Sequence, residues 1–208
     1  MIFRCVSRIL RTVGVLAVIL FSVAPADTRA EGAPSSVLVD DALIRDLRRA
    51  IQVPVAMISV AAQNARTADL SDSDVFWLDR EWREQRDAED QPLVAELFGS
   101  PLSSYLLYIQ AASVGLITEI IVMDARGLNV GQSALTSDYW QGDEEKFTRT
   151  VSRGSSAVFV DEPSYHEETG TWRCQASLTL SGSDGAAIGA ATFEINLSEL
   201  ARRRALKS

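Results

Sequence analysis

The arrangement of apolar and polar positions changes character near Leu116. Before it, apolar residues recur at helical spacing. Val39, Leu43, Leu47, Ala50 and Ile51 form one stripe, with Asp40, Asp41, Arg45, Asp46, Arg48 and Arg49 between them. Pro54 interrupts the stripe, because proline removes a helix hydrogen bond and crowds the preceding turn. The alanine-rich "VAMISVAAQNA" then resumes it. The pattern predicts a long helix in two pieces, starting near Ser36. "SDSDVFWLDREWREQR" opens on serines and aspartates suited to capping, and Phe76, Trp77 and Trp82 give it apolar weight. Pro92 and Pro101 bracket a short helix, "LVAELF", and "LSSYLLYIQAA" predicts one more.

After Leu116 the spacing turns strand-like. "LITEIIVMD" and "LNVGQS" flank the turn "DARG", so the pair predicts a hairpin. Thr136, Ser137 and Asp138 form a capping-type cluster ahead of a predicted helix, "YWQGDEEKFTRTV". "SSAVFVDEP" is a third strand and "EETG" a turn. "TWRCQASLTL" alternates cleanly: Trp172, Cys174, Ala176, Leu178 and Leu180 share one face, and Thr171, Arg173, Gln175, Ser177 and Thr179 the other. "SGSDG" turns the chain into a fifth strand, "AAIGAATFEINL", and "SELARRRALK" closes it as a helix with its basic residues favourably near the carboxyl end. The order predicts an α+β fold, with one antiparallel five-stranded sheet and helices laid over it.

The first thirty residues read differently. Arg4, Arg8 and Arg11 precede the apolar run "VGVLAVILFSV", and small-residue exits end at Ala26 and Ala30. That pattern is a secretory signal peptide. The run is short for a bilayer, which needs about 20 apolar residues. The expected organisation is a signal peptide over 1–30, a tether over 31–35 and one domain over 36–206, exported to the periplasm. The formal charge is −8; removing residues 1–30 takes away four arginines and one aspartate and leaves −11. An acidic domain lacks the basic face that nucleic acid or anionic lipid requires. Cys174 would then be the single cysteine, so no internal disulfide is expected; its place in an alternating strand predicts a buried thiol.

The segment "EIIVMDARGLNVGQSALTSDYWQGDE", Glu119 to Glu144, resembles the extracytoplasmic sensor domains of the PDC, or Cache, family. These are PAS-like domains of sensor kinases and chemoreceptors. The resemblance covers roughly Asp74 to Leu200, is good again over Ile188 to Leu197, and includes "LDREWREQ" as the helix preceding such sheets. Receptors of this type carry a transmembrane helix and a transmitter after the domain, and residues 201–208 carry the signature of neither. The tyrosine–arginine amino-acid motif of some double Cache domains is not evident. The resemblance implies a PAS-like sheet whose cover, after the hairpin, holds a small polar ligand. It implies Tyr139 and Trp140 as flat walls, Asp138 and Asp143 as contacts for a cationic group, and Arg173 as a bidentate partner for a carboxylate. Organic acids, amines and amino acids are the ligands such domains imply. A membrane sensor kinase or chemoreceptor is the implied partner, and residues 36–65 are a candidate homodimer surface. The structural alternative gives the same residues plainer tasks: Asp138 caps a helix, Tyr139 and Trp140 seal the sheet, and Asp143 and Glu144 favour a helix start.

Catalytic motifs are missing. His166 is the one histidine, and "DEPSYHEE" matches no metal-ligand spacing. There is no G-x-S-x-G elbow and no phosphate-cradling glycine loop. Two readings follow. One is an exported sensory module that binds a small molecule, without cofactor or catalysis. The other is a structural or assembly protein with a PAS-like fold and no ligand.

Overall fold

The computed structural model describes residues 32–206, so the signal-peptide segment lies outside the described residues. A 3-10 turn at Ser36–Leu38 leads into α1 (Asp41–Ile51). Asp40 caps α1, its carboxylate accepting from the Leu43 amide at 2.9 Å. That hydrogen bond and the Arg204 guanidinium hold Asp40 below the usual carboxylate range. Pro54 opens α2 (Pro54–Thr67) at a position where its missing N–H is harmless. Then come α3 (Asp72–Gln85), α4 (Pro92–Phe98) and α5 (Pro101–Ala112). Ser71 and Asp74 form a reciprocal capping box at the start of α3.

The strands are β1 (Ile117–Asp124), β2 (Asn129–Gln132), β3 (Val158–Val160), β4 (Ser164–His166), β5 (Thr171–Ser181) and β6 (Ala187–Asn196), with α6 (Glu145–Thr148) between β2 and β3 and α7 (Leu197–Ala205) last. All pairings are antiparallel, in the order β2-β1-β6-β5-β3, with β4 added on β5. The α+β architecture is therefore the expected one, and the sheet among the described residues has six strands rather than five. The additional strand is β4, whose three residues are too few to show a period. It pairs Ser164, Tyr165 and His166 with Arg173, Trp172 and Thr171 across the "EETG" turn.

Both sheet faces are covered. On one, Leu47 and Ile51 of α1, Ala56 and Val60 of α2 and Leu102 and Leu106 of α5 pack with Ile120, Val122, Ala176, Leu178 and Phe193 in a single buried cluster. The amino-terminal stripe thus docks on the sheet. Cys174 belongs to this cluster, and burial pushes its thiol up to about 12, leaving it un-ionised. On the other face Ile121, Met123 and Ala190 meet Phe147, while Ser177 and Thr192 hydrogen-bond through their hydroxyls at 2.9 Å. A third cluster joins Val75 and Trp82 of α3 to Val94, Leu97, Leu128 and Tyr139. No helix among the described residues is long and apolar enough to cross a membrane.

Candidate functional site

The helix expected over "YWQGDEEKFTRTV" is a correction. Residues 139–142 are not helical but pass beside the β1–β2 turn, with Tyr139 in a bend and Gly142 in a turn, and helix is confined to α6 and a 3-10 turn at Val151–Arg153. Leu128 and Trp140 form an antiparallel bridge. Asn129 donates its amide to the Tyr139 carbonyl at 2.9 Å, and Gln141 donates to the Gly127 carbonyl at 2.8 Å. Asp79, buried on α3, decides this conformation. Its Oδ1 accepts from the amides of Tyr139 and Trp140 at 2.9 and 3.0 Å. Those two hydrogen bonds satisfy amides that, as the first two of the expected helix, would have had no intrahelical acceptor. Gly127 has φ near +85°, and a Cβ there would lie 2.5 Å from the Gly142 Cα, so the two glycines permit the close approach.

The rings follow from that backbone. Tyr139 is buried and stacks on Trp82, with ring centroids 5.5 Å apart. Trp82 itself donates its indole N–H to the Thr136 carbonyl at 3.1 Å. Trp140 donates its indole N–H to the Arg126 carbonyl at 2.8 Å and meets Phe76 edge to face at 5.3 Å. Asp138 does not cap a helix; it pairs with Arg83 at 2.8 Å, and Arg83 also binds Asp79.

Between α3 and this segment lies a half-open groove of about 530 Å³. Phe76 and Trp140 form its apolar wall. Asp79, Arg80, Arg83, Asp138, Asp143 and Glu144 supply its charges. Most of these are already engaged: Arg83 as above, and Glu144 with Lys146 at 3.1 Å. Arg80 has only a 3.8 Å approach to Glu84, and Asp143 has no hydrogen bond or ion pair among the described residues. The groove therefore offers one available cation, one available anion and a flat apolar wall with Phe76 57 % exposed.

Asp138, Trp140 and Asp143 are thus brought together, with Tyr139 directed behind them. Arg173 is elsewhere. Its strand neighbour is Asn196, beside the start of β1, whereas Trp140 lies past the far end of β1. The eight residues of β1 separate the two by roughly 25 Å. Arg173 is bound to Glu194 at 2.7 Å and also reaches Thr169 and Thr171. A bulge in the β1–β6 pairing sets Thr118 and Glu119 both beside Glu194. Burial, followed by the charge of Glu194, pushes the Glu119 carboxyl up to about 7, against the opposing charges of Lys146 and Arg173. Sequence reasoning missed Glu119, Asp79, Arg80 and Arg83. Glu119 had a visible signal, being an acid inside an otherwise apolar strand. The α3 residues alternate as an ordinary charged helix face and carried none. Among the described residues no three metal-ligating side chains converge.

No family model and no curated protein matches the chain. Among solved structures it is similar to the ligand-binding domain of the Pseudomonas aeruginosa amino acid chemoreceptor PctC in complex with GABA, at 17% identity and TM-score 0.39, over 76% of this chain and 62% of that one. It is similar to the sensory domain of the Campylobacter jejuni chemoreceptor Tlp3, at 14% identity and TM-score 0.38, over 80% and 60%. It is also similar to the sensor domain of the V. cholerae histidine kinase DctB, at 9% identity and TM-score 0.39, over 77% and 58%. The chain spans about three fifths of the length of these structures. All three are ligand-binding or sensory domains of chemoreceptors or histidine kinases.

Proposed function

We propose that the chain is a PDC/Cache-like sensory module that binds a small polar metabolite in the groove between α3 and residues 138–144. The observation that carries this reading is the pairing, in one groove, of an available cation, Arg80, with an unpartnered anion, Asp143, beside the Phe76–Trp140 wall. Concave sites with an apolar wall and a few convergent polar groups are the usual form of small-molecule pockets. Of the organic acids, amines and amino acids that the sequence resemblance implies, an amino acid with an apolar side chain fits best. Its carboxylate meets Arg80, its ammonium meets Asp143 and its side chain lies on the rings. Arg173 drops out of this groove and holds Glu194 instead.

A thermal-shift screen of amino acids, dicarboxylic acids and amines tests the site. A ligand at about 100 times its dissociation constant adds about 2.7 kcal/mol of stability. Arg80→Gln and Asp143→Asn each remove that shift in this reading, while Arg173→Gln leaves it in place. A shift that survives both groove variants removes the groove as the site.

In this reading the module is periplasmic and reports occupancy to a membrane sensor kinase or chemoreceptor. A homodimer through residues 36–65 is part of the proposal, since Ile58 is 68 % exposed within an uncharged stretch, 53–65. Light scattering on exported protein, wild type and Ile58→Lys, checks it: a monomer at micromolar concentration in both rejects the dimer.

A further inference from the structure

Residues 144–153, which carry α6 and the 3-10 turn after it, cover the second face of the sheet without being hydrogen-bonded to it. Among the described residues, every hydrogen bond and ion pair they make stays within residues 141–154. The chain is tied to the sheet again from Ser155, whose carbonyl accepts from the Ser181 hydroxyl at 2.8 Å. The Ala157 carbonyl then accepts from the Thr179 amide at 3.1 Å. Between those points the fastening is through side-chain packing. Phe147 and Val151 rest on Ile121, Met123 and Ala190, and the Arg149 guanidinium lies 4.2 Å over the Phe159 ring. Gly154 ends the cover at φ near +112°, a conformation glycine adopts without strain. α6 has only four residues, too few to stay helical once detached.

The charges around Glu119, at the edge of this cover, do not balance. Glu194 faces it from β6, Arg173 from β5, Lys146 from α6 and Glu144 from the residue before α6. Each base already has an acid of its own. Arg173 binds Glu194 at 2.7 Å, and Lys146, itself buried, binds Glu144 at 3.1 Å. Glu194 also accepts from the Thr118 hydroxyl. Glu119 is the acid left over: it is half-buried, with no hydrogen bond or ion pair of its own among the described residues. With its proton the cluster is neutral. Without it, one negative charge is left partly out of water and unpaired, which is unfavourable. Burial, then the Glu194 charge, push the Glu119 carboxyl up to about 7, with Lys146 and Arg173 acting against them and Glu144 with them. Ile121, the next residue on this face of β1, lies directly under Phe147, so the same cover limits the access of water.

We infer that residues 144–153 are a pH-gated cover, closed on the sheet while Glu119 keeps its proton and released when Glu119 ionises. Release brings water to the carboxylate and bares Ile121, Met123 and Ala190. Burial is the largest influence on Glu119, and opening relieves it, so the closed state binds the proton more tightly than the open one. Closure is therefore firmest at low pH and weakens as pH rises through about 7. Lys146 opposes release, since its charge favours the ionised carboxylate, but it leaves with the cover and keeps Glu144 as its partner. No ligand in the groove is needed for this motion.

Amide hydrogen exchange of the purified protein at about pH 5.5 and about pH 8, with each amide referred to its own intrinsic rate, is the measurement. The amides of Phe147, Thr148 and Thr150 donate the hydrogen bonds to follow. They are expected to be less protected than those of β6 at both pH values. Their protection is expected to fall about tenfold from the lower pH to the higher. Glu119→Gln is neutral at both and is expected to keep the low-pH protection throughout. Cover amides that exchange no faster than β6 overturn the inference, because the segment then opens only with the whole fold. Protection that is flat with pH, or that rises with it, overturns the gating. A fall that persists in Glu119→Gln overturns the role of Glu119 and assigns the titration to another group.

Discussion

Glu119 shows how much the surroundings of one side chain change its chemistry. In the unfolded chain its carboxyl releases its proton near 4.5; in the folded protein burial and the Glu194 carboxylate move that to about 7. Between these two values the folded state binds more protons than the unfolded state, so stability falls as pH rises. The contribution is complete below about pH 4.5 and gone above about pH 7. The separation corresponds to about 3 kcal/mol at most. Glu119→Gln keeps the shape and cannot ionise. Denaturant unfolding at pH 5 and at pH 7.5 is expected to show a loss of about 2–3 kcal/mol for the natural protein that is largely absent in the variant. An unchanged pH slope in Glu119→Gln would assign the titration to another group. The residue was legible as part of a strand but not as a titrating group, because its partners, Glu194 on β6 and Lys146 on α6, reach it only through the folded chain.

At the scale of elements, the sequence was readable wherever one period was sustained. The five helices before Leu116 and the strands β1, β2, β5 and β6 all carry such runs, and all are present. It failed where a distant group decides. "YWQGDE" has helix-compatible residues, and its local signals favour a cap and a first turn. Asp79, sixty positions away, takes the Tyr139 and Trp140 amides and holds the segment out of helix. The candidate groove was half legible for the same reason. Asp138, Trp140 and Asp143 are contiguous, whereas Arg80 joins them only because Asp79 on the same helix anchors the segment. For Arg173 the alternation gave the sheet face but not the position along the sheet. Asp79→Ala leaves two amides without their acceptor, and the expected destabilisation is about 2–4 kcal/mol. Asp79→Asn keeps an acceptor oxygen and is expected to recover more than half of it. If urea midpoints show Asn and Ala equally destabilised, the negative charge facing Arg83, rather than the amide capping, holds the segment.

The molecule as a whole is a sheet with both faces covered, and its layers do not contribute equally. β6 lies between β1 and β5, with Ala190, Ala191 and Phe193 fully buried. Opening it requires separating both neighbouring ladders, so its amides are expected to exchange only through global unfolding. α1 shares one buried cluster with β1, β5 and β6 through Leu47 and Ile51. It is therefore part of the same cooperative unit, although it is remote in sequence from the strands it covers. The β4–β5 hairpin tip is different: Tyr165 is 46 % exposed, and residues 167–170 hold few buried contacts. Native-state hydrogen exchange is expected to rank β6 and the Leu47–Ile51 turn of α1 together as slowest, with residues 164–170 the first to open. Rapid exchange across α1, as fast as at residues 164–170, would show that the helix is a detachable cover. The apolar stripe would then be free to engage a second copy, and the surface open to a partner would extend from α2 through the whole of residues 36–65.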